Sequence, residues 1–477
     1  REVSNAVVDQ EEDIKNRRGA TDFLWQWGQF LDHDLTETPT IVPEEPFDIY
    51  IPEGDIWFDP EGTNSAVLSF DRSYYELEHG VREQVNDLTS FIDGSNVYGS
   101  DETRSYALRQ LDGSGMLKTT TSDYGDLLPY NEGGFKNVPD ESAFWFIAGD
   151  TRVNEQVGLT ALHTLFVREH NYWAQQYREG NPSATGDEIF EYARQIVGAE
   201  MQHITYEEYL PVILGHHALP PYQGYAEDVD PRIANEFATA AYRFGHTLCS
   251  PSLLRLDENG DTAEEGDLEL SAAFFDPTQI ENYGIETLLR GLAGQECQEL
   301  DHQVVDGLRN FLFGSPGAGG IDLPSLNMQR GRDHGLPSYT EVREALGFPP
   351  AEDFSDITPN EELQESLAAV YDDVEQVDLW IGGLCEPHVR GAMVGPVFHA
   401  ILTDQFRRLR DGDRFWYRHA LSDELLELVE EQSLAEIIRR NTDIGDEIQD
   451  QVFLSDEAQD EADHLHHPRP EDAPASR

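Results

Sequence analysis

A mainly α fold, built as one large domain with few short strands, is what this sequence predicts, and three observations predict it. Apolar residues recur at helical spacing over 21–37, 155–178 and 186–209, and again over 231–248, 300–313, 338–346, 360–371 and 396–409. Strand signals are few and short. No internal repeat and no linker-like stretch divides the middle of the chain. Its 477 residues therefore read as one unit, 1–450, followed by an acidic tail, 451–477, that is disordered by composition.

Taken in order, residues 1–20 read as an extended arm. The stretch TDFLWQWGQFLDHDLTE (21–37) has an aromatic and aliphatic face and predicts a helix. Residues 38–62 are rich in Pro and acid and read as a loop, and DLTSFIDGSNVYGS (87–100) as a turn-rich loop. Two amphipathic helices follow, then a helical 231–248 that runs into Pro251. LDENGDTAEEGDLE (255–268) is an acidic surface loop.

Composition narrows the function classes. Asp and Glu total 93 against 32 basic residues, a net charge of -61, and only Lys15, Lys118 and Lys136 are lysines. Such a surface repels nucleic acid, which needs basic patches. Its self-repulsion destabilises the compact state in dilute buffer, whereas 1 M salt screens it over a Debye length of ~3 Å. The balance reads as a protein for a high-salt environment, secreted or extracytoplasmic, with a salt-filled cytoplasm as the alternative. No run of about 18 apolar residues exists to span a membrane. The start carries no secretory signal, and Arg1 in place of Met reads as a processed or trimmed form. Cys249, Cys297 and Cys385 are scattered without metal spacing and read as buried free thiols.

Three groups of residues carry chemistry. In GQFLDHDLTET, Gln29, Asp32 and His33 fall at i, i+3 and i+4, so an amide, a carboxyl and an imidazole share one helical face. An imidazole suits proton transfer near neutral pH, although a His flanked by Asp is more often an ion-paired residue. In AGDTRVNEQ, Arg152 and Glu155 stand at i and i+3, either a guanidinium placed to stabilise developing negative charge or an ordinary ion pair at a helix start. In LTSFIDGS, Thr89, Phe91, Asp93 and Ser95 alternate. They offer either oxygen ligands to a calcium ion or a plain Asx turn at Asp93–Gly94.

WGQFLDHDLT, LTSFIDGSNVYGS, AGDTRVNE, LHTLFVREHN, YRFGHTL, LNMQRGRDHGLP and LRDGDRFWY occur in the order and approximate spacing of the animal-type haem peroxidases, and the likeness runs from REVSNAVV to about residue 445. The chain resembles that family. The resemblance implies a haem b derivative with His33 as distal base, Arg152 as distal arginine and Gln29 at a small-anion pocket. Asp32 and Glu155 match residues that esterify haem methyl groups. Gln156 stands where one branch carries a Met joined to a haem vinyl, so no sulfonium link is expected. His246 matches the proximal iron ligand, and Asn327 the residue that accepts its other N–H. Arg243 and Arg330 are expected at the haem propionates. Thr89, Phe91, Asp93 and Ser95, with Asp34, match a calcium site. His163, His170 and His334 become structural, and HLHH (464–467) reads as a solvated stretch or a tag remnant.

The expected function is a peroxidase that uses hydrogen peroxide, through an oxoferryl haem, to oxidise bromide, iodide, thiocyanate or aromatic one-electron donors. Without the sulfonium, chloride is less expected. The alternatives are a haem-dependent fatty-acid dioxygenase and a non-catalytic calcium-binding adhesion protein. The dioxygenase branch places a Tyr three residues before the proximal His. Here that position is Arg243, and Tyr242, one residue away on a helix, is turned ~100° aside. Loss of His33, Arg152 or His246 would mark the adhesion protein, and all three are present. Nothing in the sequence sets the oligomeric state.

Overall fold

In the computed structural model, which describes residues 1–459, helices of four to 24 residues supply most of the regular structure. The strands described are two to four residues long and pair only in twos. The mainly α expectation holds. Helix α1 is Glu2–Val7, α2 Phe23–Leu35, α3 Val157–Gly180 and α4 Gly186–Ile204.

The centre of the molecule is α2 lying on α3. Phe23, Leu24, Trp27, Phe30, Leu31 and Leu35 repeat at three- and four-residue intervals and are all fully buried. Phe30 stacks on Phe166 of α3 with ring centroids 5.1 Å apart, and Trp27 meets the same ring at 5.7 Å. Burying each such side chain stabilises by roughly 1.5–3 kcal/mol, which fixes the rotation of α2 about its axis. Gln29, Asp32 and His33 are thereby turned toward a cavity. The start of α3 is capped by the Gln156 side chain, which accepts from the Gly158 N–H. A capping box of Thr185 and Glu188 starts α4. After Ile204 the chain takes one wide turn, Thr205–Tyr209, that carries the Tyr209 hydroxyl over Gly28. A side chain at position 28 would come within 2.8 Å of that oxygen.

Four sequence expectations give way. The arm is not extended. Residues 2–7 are helical, and Arg1 is buried between Asp55 (2.8 Å) and Asp322 (2.7 Å). Over 231–248 the helix stops at Thr239 and resumes as a tighter 3-10 turn, Ala241–Thr247, while 300–313 holds only the short helix Asp306–Arg309. The ordered unit also passes residue 450. Val452 and Phe453 are fully buried, Thr21 N–H donates to the Phe453 carbonyl, and Ser455 N–H donates to that of Gly19. The rest of the expected tail, with HLHH, lies outside the described residues.

Two further helices frame the site: α5, Leu323–Asp333, capped by Asp322, and α6, Pro396–Asp411. Among the described residues no helix is long and apolar enough to cross a membrane. All three cysteines are free and buried.

Candidate functional site

A cavity of about 340 Å³ opens between α2, the 152–156 turn and the 3-10 turn. His33 and His246 line it together, although 213 residues separate them in sequence. Its polar lining comprises Gln29, Asp32, His33, Arg152, Glu155, Gln156, Arg243 and His246, and Phe244, Leu270, Phe274, Leu312 and Leu326 are among its apolar walls.

His33 is buried, and burial together with the Arg152 cation pushes its pKa well below the usual imidazole range. It is therefore neutral at pH 7, and its contacts with Asp150 and Glu155 are polar contacts rather than ion pairs. Nδ1 lies 3.4 Å from Asp150 Oδ1 and Nε2 lies 3.7 Å from Glu155 Oε2. Burial alone would raise the Asp150 pKa, but the Arg152 cation and its hydrogen bonds outweigh it and hold the carboxyl well below its usual range. An ionised Asp150 favours the tautomer with hydrogen on Nδ1, which leaves the Nε2 lone pair facing the cavity.

Asp150 also fixes Arg152. Its carboxylate accepts from the Arg152 backbone N–H (2.7 Å), Nε (3.0 Å) and Nη2 (2.8 Å), and Nη2 also reaches the Thr36 carbonyl at 2.9 Å. The sequence reading paired Arg152 with Glu155 and missed Asp150. The available signal was the carboxylate two residues before the arginine, a spacing that closes a local fork. Gly149 allows the approach, because a Cβ there would lie 2.2 Å from the Ser95 carbonyl oxygen.

The two wall carboxyls differ from Asp150. Burial raises the Asp32 pKa despite Arg152 nearby, and raises that of Glu155 to about 7. Asp32 accepts from Thr36 Oγ1 at 2.8 Å. Gln29 Oε1 accepts from Gln26 (3.3 Å) and Gln156 (3.1 Å), and its amide N–H side is turned to the Glu155 carboxyl. The Gln156 amide caps α3, and no methionine lines the cavity.

On the opposite side, Arg243 and His246 stand three residues apart on the 3-10 turn, a spacing that eclipses them. Burial, then Arg243, lowers the His246 pKa to about 3. His246 Nδ1 lies 2.8 Å from the Asn327 amide on α5, but the atom facing it is Nδ2, because Asn327 Oδ1 accepts from Arg243 Nη1 at 3.0 Å. Turning the amide would satisfy an Nδ1–H and set Nδ2 against the guanidinium. An acceptor role for Asn327 thus requires Arg243 to find another partner. Arg330 is not in the cavity wall. Its guanidinium is committed to Asp333 (3.0 Å), Ser73 Oγ (2.8 Å) and the Asp71 carbonyl (3.0 Å).

Tyr242 also lines the cavity, contrary to the sequence argument. Its hydroxyl is 3.4 Å from that of Tyr209, another wall residue. The other histidines serve the fold. His170 sits between the Tyr98 hydroxyl and the Gly115 carbonyl, each 3.0 Å away. His334 contacts Ser73 and Asn235, and His163 meets Phe30 edge-on.

The 89–95 loop closes on the end of α2. Asp34 Oδ2 accepts from the Asp93 (3.0 Å) and Gly94 (3.1 Å) N–H groups, and Ser95 Oγ donates to Asp34 Oδ1 at 2.6 Å. Thr89 Oγ1 lies 3.3 Å from Asp93 Oδ2 and 3.4 Å from the Phe91 carbonyl. Pairwise hydrogen bonds thus tie the oxygens of Thr89, Phe91, Asp93 and Ser95 and the Asp34 carboxyl into one loop at the end of α2. Among the described residues no three His, Cys, Asp or Glu side chains converge on a metal position.

The family model for animal haem peroxidases matches residues 1–453. The chain is similar to peroxinectin A of Dictyostelium discoideum, 36% identical over 471 residues, covering 95% of this chain and 87% of that protein. It is similar to peroxidasin of Drosophila melanogaster, 36% identical over 497 residues, covering 95% of this chain but 32% of that relative, about a third of its length. Among solved structures, peroxidase A of Dictyostelium discoideum superposes with a TM-score of 0.89 at 36% identity, covering 95% of this chain and 90% of that one.

Proposed function

The chain belongs to the animal haem peroxidase family, and on that premise we propose that it uses hydrogen peroxide to oxidise bromide, iodide or thiocyanate, or aromatic donors one electron at a time. Family membership implies the haem and a peroxidase activity. The finer assignments rest on the cavity, and the observation that carries them is the pair of imidazoles, His33 and His246, facing one cavity with Arg152 beside the first.

The residues fit a haem. His246 Nδ1 is engaged by Asn327, whereas Nε2 has no hydrogen-bond partner among the described residues and its ring faces the cavity, as an iron ligand requires. Apolar walls suit the macrocycle, and Arg243 would gain a propionate partner. That exchange would free Asn327 Oδ1 to accept from His246. When bound, the haem iron supplies the centre at which the peroxide O–O bond breaks. The rest follows from this chain's side chains. Neutral His33 takes the peroxide proton at Nε2 and returns it to the departing oxygen. The Arg152 cation, fixed by Asp150, stabilises the charge that develops there. Gln29, one helical turn before His33 in the wall, would border a small-anion pocket. In halide-free concentrated salt, one equivalent of peroxide should lower and shift the Soret band of the haem-loaded protein, and bromide or a phenol should restore it. A Soret band indifferent to peroxide would remove the proposal.

Asp32 and Glu155 are proposed to form ester bonds to the haem. Both carboxyls line the cavity, and each bond would replace a C–H of a haem methyl with a C–O bond, a two-electron oxidation for which hydrogen peroxide would be the oxidant and the carboxylate oxygen the nucleophile. After peroxide treatment, acidified organic solvent should leave the haem on the protein. Asp32→Val with Glu155→Val should release it, and free extraction from the unaltered chain would overturn the esters. No sulfonium can form at Gln156.

Asp34, Thr89, Phe91, Asp93 and Ser95 are proposed to hold calcium and so to brace the helix that carries His33. A chelator should lower the melting temperature, and calcium should restore it. A site filled at 100 times its Kd contributes about 2.7 kcal/mol, so an unchanged melting curve would count against calcium. The acidic surface supports work in concentrated salt, outside the cytoplasm or in a salt-filled one. The melting temperature is expected to rise by roughly 10 °C between dilute buffer and molar salt, and a flat dependence would remove that reading.

A second reading, fatty-acid oxygenation, draws on Tyr242 in the cavity wall. Oxygen uptake on adding a long-chain fatty acid would favour it.

A further inference from the structure

We propose that a file of touching aromatic rings joins the haem cavity at Tyr242 to the protein surface at Tyr222, giving the protein a second oxidation site for aromatic donors too large to enter the cavity. The inference rests on the peroxidase reading above, which supplies the oxidising equivalents.

The file is continuous. Tyr242, in the cavity wall, meets Phe406 of α6 at 5.7 Å between ring centroids, and Phe406 meets Tyr206 at 6.1 Å. Tyr206 meets Trp416 edge-on at 4.7 Å. From Trp416 the file forks, to Tyr417 at 4.7 Å and to the half-buried Tyr222 at 6.0 Å. Electron tunnelling falls off exponentially with distance, so steps between rings in contact outrun a single jump across the same span. The neighbouring Phe415 is 65% exposed, which offers an aromatic donor an apolar contact at the outer end.

Proton positions set the role of each ring. The Tyr206 hydroxyl donates to the Phe406 carbonyl at 2.6 Å. A carbonyl cannot take that proton, so Tyr206 bridges and does not hold an electron vacancy. Trp416 Nε1 is buried without a partner and likewise keeps its hydrogen. Tyr417 differs, because its hydroxyl lies 3.2 Å from His203 Nδ1. Burial lowers the His203 pKa below the usual imidazole range, so that nitrogen is free to accept at neutral pH.

The step balances as follows. Tyr417 gives one electron through Trp416, Tyr206, Phe406 and Tyr242 to the haem, which is reduced by one equivalent. Its O–H proton passes to His203 Nδ1, leaving a neutral tyrosyl radical. A phenol at Tyr222 then returns one electron through Trp416 and releases its own proton to water, and His203 gives its proton back to Tyr417. No oxidant beyond hydrogen peroxide is needed.

The test uses the haem-loaded full chain and two donors, iodide and a phenol tethered to soluble dextran. Tyr206→Leu and Trp416→Leu, which remove a ring from the file, should slow oxidation of the dextran phenol by roughly tenfold or more while leaving iodide oxidation nearly unchanged, which also shows that each variant folds. In freeze-quenched samples given peroxide without donor, the unaltered protein should show a tyrosyl radical that Tyr417→Phe removes. Equal dextran-phenol rates in all proteins, or iodide oxidation with no dextran-phenol oxidation by the unaltered protein, would overturn the route. An unaltered protein that oxidises neither donor would overturn the peroxidase reading and the route with it.

Discussion

His33→Ala is expected to bind haem as the unaltered chain does, yet to react with hydrogen peroxide on the order of 10²- to 10⁴-fold more slowly. Haem retention follows because the proposed iron ligand, His246, lies across the cavity with its own partner, Asn327. The rate loss follows because His33 is the uncharged imidazole in the wall with a free nitrogen on the side proposed for peroxide. Burial and Arg152 hold its pKa well below the usual range, so protonation of His33 should not limit the rate across neutral pH. The acid limb should appear only as pH falls far enough to protonate His33 and occupy the Nε2 lone pair. Stopped-flow mixing at several pH values checks both statements. Unchanged peroxide reactivity in the variant would overturn the assignment of His33, and an acid limb centred near pH 6.5 would contradict its buried, neutral state.

The long helices were legible because period decides them. α2, α3 and α4 have apolar stripes long enough to outweigh any local alternative, and capping by Gln156 and Thr185 marks two of their starts. The same period put Gln29, Asp32 and His33 on one face, and the fold turns that face to the cavity. Short elements were not legible. Residues 235–247 read as one helix by their pattern, yet the break at Ala240 and the tightening that follows are set by tertiary packing. The first residues read as an arm because their partners, Asp55 and Asp322, are distant in sequence. Arg330 was expected at a haem propionate from the family resemblance alone, which does not reveal that Asp333, three residues on, takes its charge. Asn327 lies beside His246, whereas the direction of its amide depends on Arg243.

Asp150 is the residue on which the distal geometry turns, and its substitution is the second large effect expected. The carboxylate is buried, makes three hydrogen bonds to Arg152 and lies beside His33 Nδ1. Asp150→Ala leaves a buried guanidinium without its counter-charge, a change that typically costs about 3–5 kcal/mol. Asp150→Asn separates stability from catalysis. Its amide oxygen can still accept from Arg152 and sit beside Nδ1–H, but the charge is gone. Asp150 raises the His33 pKa against burial and Arg152, so removing its charge should move the acid limb of the peroxide reaction to lower pH. The neutral-pH rate should also fall, because the guanidinium is held by weaker bonds. Cyanide association with the ferric protein offers a second measure, since hydrogen cyanide must also lose its proton to bind and the distal base would take it. A purely structural Asp150 would lower the melting temperature of the Asn variant and leave both pH profiles where they were. That result would return the positioning of His33 and Arg152 to the packing of α2 alone.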